Sequence, residues 1–140
     1  MGTVLWANRL DQGRVVSDQS DKIALYRHAG KLDKLSRSLH TIHFLATHDT
    51  TDAEFNAGRR DLPDGVVSTD EIMAADGTWV SPSDAILMME ALIRHIVRSQ
   101  VRFGMFRNDA PDIIRELEES LLVARQAEAC SGRFNFSVVL

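Results

Sequence analysis

Strand-like patterning occupies the two ends of the chain, and helical periodicity fills the middle. Residues Thr3 to Leu10 are rich in β-prone side chains, Asp11-Gln12-Gly13 is turn chemistry, and Arg14 to Ser17 can return as a second strand. A loop of about three residues ending in Gly suits a hairpin containing a bulge. At the far end Arg133 to Phe136 alternates polar and apolar, and Val138-Val139-Leu140 is wholly apolar. A lone hairpin is only marginally stable. The C-terminal strand is therefore expected to join the N-terminal hairpin in a small antiparallel sheet, with Leu140 buried or paired.

Between these ends the period changes to that of a helix. Leu25, Ala29, Leu32, Leu35 or Ser36, and Leu39 form one stripe, which predicts a helix from about Asp21 to Leu39 capped by Ser20 or Asp18. Lys22, Lys31, Lys34 and Arg37 would cover its polar side, and Gly30 would mark a close packing contact. A second helix runs from Pro82 to about Arg98 behind the cap Ser81 and is apolar nearly all the way round, so it belongs at the centre of the fold or in an interface. The last helix starts near Asp109-Ala110-Pro111 and ends near Ala129, with Gly132 as its stop and Arg115 and Glu119 paired on its outer face. Thr51-Asp52-Ala53-Glu54 and Ser68-Thr69-Asp70-Glu71 read as capping boxes of two shorter helices, stopped by Gly58 and Gly77. Arg59 to Val67 is the longest loop. The expected architecture is a mainly helical α+β fold, residues 1–140 forming a single domain.

Composition narrows the functional classes. The 140 residues are 44% hydrophobic and 26% charged, an ordinary globular balance with enough core to fold without disulfides. The single Cys130 and the absence of a secretory leader pattern in Met1 to Leu10 point to the cytoplasm. No apolar run reaches the ~18 residues of a membrane helix, and a pI near 5.7 argues against a nucleic-acid backbone binder. Charge is nonetheless uneven: residues 1–47 carry a net +3, residues 48–90 a net −8, and residues 91–140 a net +1. Helix starts account for Asp52, Asp70 and Asp84, where a carboxylate is locally stabilising. The remaining acids read as an ordinary solvated surface, or as one suited to a basic partner or a cation.

Chemistry concentrates between His40 and Asp52, where three of the five histidines fall. His40, His43, His48 and Asp49 offer nitrogen and oxygen donors of the kind that hold Zn²⁺ or another first-row metal, with Asp52 as a further ligand or base. The His48-Asp49 dipeptide resembles the adjacent metal ligands of HD-type phosphohydrolases, which implies a metal-dependent hydrolase acting on phosphoesters. Cys130 sits at a helix C-terminus, where the dipole raises a thiol pKa, so a structural role is expected. Arg94, Arg98 and Arg102 recur every four residues, near His95, Arg107 and the Arg59-Arg60 pair. They suit internal ion pairs with the acidic segment, or a clamp on a small anion. Met73, Met88, Met89, Met105, Phe103 and Phe106 read as adaptable core or interface filler, and Trp6 and Trp79 as packing anchors.

No nucleotide-binding, nucleophile-elbow or calcium-loop motif is present. The sequence therefore points to a binding or regulatory protein that works through protein–protein contacts, without a cofactor. Its partner would be another protein or a second copy in a homodimer. The alternative is the metal-dependent hydrolase built on His40, His43, His48 and Asp49.

Overall fold

The two ends of the chain do meet. A computed structural model describes residues 2–58, 61–66 and 68–140. Strand β1 (Val4–Asp11) pairs antiparallel with β2 (Arg14–Ser17) on one side and with β4 (Arg133–Val139) on the other. The hairpin loop is shorter than expected. Asp11 faces Arg14 directly, and Gln12 and Gly13 both take positive φ, 51° and 78°, the pattern of a two-residue type I′ turn rather than a bulge. A fourth strand, β3 (His48–Asp49), adds to the free edge of β4 in parallel, so the sheet is mixed, in the order β2-β1-β4-β3. Leu140 lies beyond the last paired residue and is 51% exposed, contrary to the expectation of burial.

Helices cover both faces of this sheet. Alternation along β1 and β4 puts Leu5, Ala7, Phe134 and Phe136 into the main core. That core is closed by α1 (Ile23–Arg27), α2 (Ala29–Ser38), α5 (Pro82–Ser99) and α6 (Ala110–Ala129). On the opposite face Asn8, Asn135 and Ser137 are also buried, on the side of α3 (Thr51–Asn56) and α4 (Thr69–Asp76). The amide of Asn8 donates to Asn135 Oδ1 (3.0 Å), and Asn135 donates to the carbonyl of Thr78 (2.9 Å). Alternation alone would have turned these residues to water; the small helices instead supply them with partners.

The first helix departs most from its pattern. It is two helices, α1 and α2, with the break at His28, whose ring is committed to Asp109 Oδ2 at 2.8 Å. Lys22 does not lie on a polar helix face. Its backbone pairs with Leu5, which holds it extended, and its side chain is fully buried on Asp18 Oδ2 (2.6 Å) and the Ser20 carbonyl (3.1 Å). The cap of α1 comes from neither Ser20 nor Asp18. Buried Glu116 of α6 accepts from the amides of Ala24 (3.2 Å) and Leu25 (3.0 Å), the free donors of the first turn. Burial raises the Glu116 carboxyl above its usual range despite these two bonds and Arg115 beside it. Gly30 faces open space rather than a close neighbour.

The other helices follow the sequence more closely. In α5, Ala85, Met88, Met89, Leu92 and Ile96 are buried, so one face of the helix belongs to the core, while the apolar residues Leu87 and Val97 on the other side remain largely exposed. The pair Arg115–Glu119 forms at 3.5 Å. Gly58 follows α3 with φ 74° as expected of a stop. After α6 the left-handed residue is Ser131 (φ 56°) rather than Gly132. Gly132 is needed for a different reason: a Cβ there would lie 2.0 Å from the carbonyl oxygen of Leu10. The box at Thr51 is shifted, because Asp49 Oδ2 accepts from the Thr51 amide (3.0 Å) and Thr50 donates to Glu54 (3.2 Å). Ser68 precedes α4 without a side-chain cap bond. Of the predicted loop, Arg59, Arg60 and Val67 lie outside the described residues.

Candidate functional site

The histidine–aspartate cluster comes apart in three dimensions. β3 pairs His48 with Phe136 and Asp49 with Ser137, and successive strand residues point to opposite faces. The His48 ring therefore enters the aromatic core, edge-on to Phe44 (5.1 Å between centroids) and Phe136 (6.3 Å). Its Nε2 is buried without a partner, and burial holds the imidazole down to about 4 from its ordinary 6.5, so the ring is neutral near pH 7. Asp49 turns to the other side, where its oxygens accept from the amide and hydroxyl of Thr51 and from the amide of Thr78 (2.8 Å). Gly77 is the close neighbour that this arrangement needs: a Cβ there would stand 2.9 Å from Asp49 Oδ1.

His40 and His43 join neither. His40 takes a left-handed conformation (φ 59°) after α2 and borders a shallow groove with Ile42, Asp84 and Leu87. His43 is exposed at the start of a 3-10 turn (Phe44–Thr47). That turn is pinned by α2, where Asp33 Oδ1 accepts from the Leu45 amide and Ser36 Oγ from the Phe44 amide, both at 2.9 Å. Burial pushes the Asp33 carboxyl up, but the Leu45 amide, the Arg37 guanidinium and His43 outweigh it and hold it below its usual value. His40, His43, His48 and Asp49 thus do not form one ligand set. Among the described residues no three His, Cys, Asp or Glu side chains gather as a metal site.

The arginine stripe is also redistributed. Arg102 turns into the loop after α5, donating to the carbonyls of Gly104 (3.0 Å), Met105 (3.2 Å) and Phe106 (3.4 Å). Arg107 pairs with Asp109 and Asp112. Arg94 and Arg98 make none of the expected internal ion pairs to described residues. Arg59 and Arg60, counted with the stripe from sequence, are outside the described residues.

What the sequence did not separate is the pair Met105-Phe106 from the buried methionines and Phe103. Met73, Met88, Met89 and Phe103 are buried, whereas Met105 is 84% and Phe106 96% exposed. The loop that carries them is built rather than slack. Phe103 anchors its start in the core, edge-on to His28 (5.5 Å), and the Asp109 amide returns to the Phe103 carbonyl at 2.7 Å. Asn108 Oδ1 accepts from the amides of Phe103 (2.9 Å) and Ala110 (3.1 Å). Lys31 donates to the Arg102 carbonyl and lies over the Phe103 ring.

Two residues fix the base of this loop. Gly104, at φ 107°, lets the chain pass where a Cβ would meet the Arg107 carbonyl at 2.3 Å. Asp109 ties the loop to α1 and α2 through His28 (2.8 Å) and Arg27 (3.2 Å). The His28 hydrogen bond, and then Arg27, keep the Asp109 carboxyl below its usual value against the cost of burial.

Set against family models, curated proteins and solved structures, the chain matches none. The reading of this surface rests on its own chemistry. Two large apolar side chains are thus exposed on a hydrogen-bonded loop, with Arg102 bonded to its carbonyls and Arg107 paired to Asp109 and Asp112 beside them. Cys130 is half-buried, with its Sγ on the Ala127 carbonyl (3.4 Å). No helix among the described residues is long and apolar enough to cross a membrane.

Proposed function

We propose that this protein is a binding or regulatory protein acting through protein–protein contacts, with loop 102–109 as its anchor. The observation that carries the reading is the exposure of Met105 and Phe106 on a loop whose backbone is already ordered. A loop whose backbone is already held in place loses little backbone freedom on docking, so more of the area its side chains bury appears as affinity. Lys31 and Arg102 at the base of the loop suit an acidic rim on the partner, and a second copy of this chain is one such partner: its own residues 48–90 carry a net −8. Within that segment Asp70 is raised by burial and by the charge of Asp52, a like-charged pair that a basic group would relieve. The hydrolase alternative has no comparable support, because His48 and Asp49 point to opposite sides of the sheet and His40 and His43 lie outside it.

The test compares the wild type with Met105→Asp/Phe106→Asp by sedimentation and by cross-linking in the source cells. The expected outcome is a dimer or a cross-linked partner that the double variant loses while melting unchanged. A double variant with the same sedimentation and the same cross-links would refute the reading.

A further inference from the structure

Arg94 and Arg98 lie one turn apart on α5 and line a groove of about 290 Å³ with His95, Ser99, Ala91 and Leu39, the residue that follows α2. Neither guanidinium has a hydrogen bond or ion pair to a described residue. Arg27, Arg37, Arg107 and Arg115, by contrast, each hold a carboxylate, and what sets Arg94 and Arg98 apart from other unpaired arginines is that they line one groove together. Glu90, the carboxylate one turn before Arg94, is turned to Arg125 at 3.4 Å. Two unspent guanidiniums, an imidazole and a hydroxyl thus face one hollow, with Ala91 and Leu39 as its apolar wall.

We propose that this groove binds a phosphomonoester group carrying a small apolar body. The donor count selects the anion. Each guanidinium offers a planar fork of N–H donors, and Ser99 and His95 add further polar atoms. A monocarboxylate has two oxygens and satisfies one fork, whereas a phosphate ester presents three terminal oxygens and up to two charges. The C-terminus of α5 opposes an anion with about half a charge; two whole guanidinium charges exceed it. The groove is at the small end of ligand-sized cavities, about 300 Å³ upward, which suits a compact ester. Leu39 and Ala91 receive its organic part.

Titration with phenyl phosphate at constant ionic strength, followed by amide chemical shifts and by calorimetry, tests this. The expected result is saturable binding with shifts centred on residues 39 and 91–99. Inorganic phosphate should bind more weakly at the same residues. Arg94→Gln and Arg98→Gln should each weaken phenyl phosphate about 10-fold or more, the loss of one charge-assisted fork, with unchanged melting. Leu39→Ala should weaken phenyl phosphate and leave inorganic phosphate unaffected. Phe106→Ala should bind phenyl phosphate like the wild type, which separates this site from the docking loop. A titration that does not saturate, benzoate binding as tightly as phenyl phosphate, or arginine variants that bind undiminished would each overturn the proposal.

Discussion

Acid should loosen this protein already between pH 6.5 and about 4, and His48 is the reason. Its ring is packed edge-on between Phe44 and Phe136, with Nε2 buried and unpaired, and its pKa falls from 6.5 in an open chain to about 4 in the fold. Between those values the unfolded chain binds a proton that the folded chain refuses, so stability falls as pH drops. The contribution is complete above 6.5 and lost progressively down to about 4. A gap of about 2.5 pH units at about 1.36 kcal/mol each sets a ceiling of about 3 kcal/mol. At pH 5, with the folded ring still mostly neutral, the same linkage gives about 2 kcal/mol, a sizeable part of the 5–15 typical of a domain.

Urea unfolding at closely spaced pH values from 7 to 4.5, on the wild type and His48→Phe, isolates this contribution. Asp33 and Asp109, held below their usual 3.8, act only in more acid solution. Glu116 and Asp70 are raised, so acidification favours their folded forms and opposes the loss. All four remain in both proteins and cancel in the difference. His48→Phe carries a pH-independent packing cost of about 1–3 kcal/mol, which offsets its curve without tilting it. The wild type should lose about 2 kcal/mol relative to the variant between pH 7 and pH 5. Parallel curves would refute the neutral, buried imidazole.

Other substitutions probe the remaining joints. Asp49→Ala leaves the buried amides of Thr51 and Thr78 without their acceptor, and chemical denaturation should show a loss of about 1–3 kcal/mol. Lys22→Ala strips the buried partner from Asp18 and should cost about 3 kcal/mol, whereas Arg125→Ala, on an exposed pair with Glu90, should stay within about 1 kcal/mol; equal effects would contradict the burial argument. Gly104→Ala forces a Cβ toward the Arg107 carbonyl at φ 107°. It should destabilise by about 1–3 kcal/mol, and limited proteolysis should cut first within loop 102–109.

The elements legible in the sequence were those with long periods and clear ends. Helix α5 shows itself through Ser81-Pro82 and its apolar run, α6 through Asp109-Ala110-Pro111, and β1 and β4 through β-prone residues flanking turns. What stayed hidden depended on partners far along the chain. β3 is two residues long, too short for alternation, and exists because the edge of β4 receives it. Lys22 and Glu116 are charged residues inside the fold because Asp18 and the first turn of α1 lie across from them. The histidine cluster misled for the same reason, since closeness in sequence becomes separation once His48 and Asp49 share a strand. Met105-Phe106 carried one local clue, the Gly104 that lets the loop turn out from buried Phe103.

The place of β4 in the sheet has a consequence for synthesis. It lies between β1 and β3 and supplies the pairing edge of both, yet 121 positions separate Asp11 from Gly132 before it begins. A nascent chain that has emerged only as far as α6 holds a bare β1 edge and a β3 with nothing to pair to. Completion of the sheet must therefore await residues 133–139, with the free edge of β1 unpaired until they arrive, even though α5 can already pack on α6. Such late closure makes for slow, aggregation-exposed folding, and it makes the unfinished chain, rather than the finished one, the form with a bare strand edge to offer.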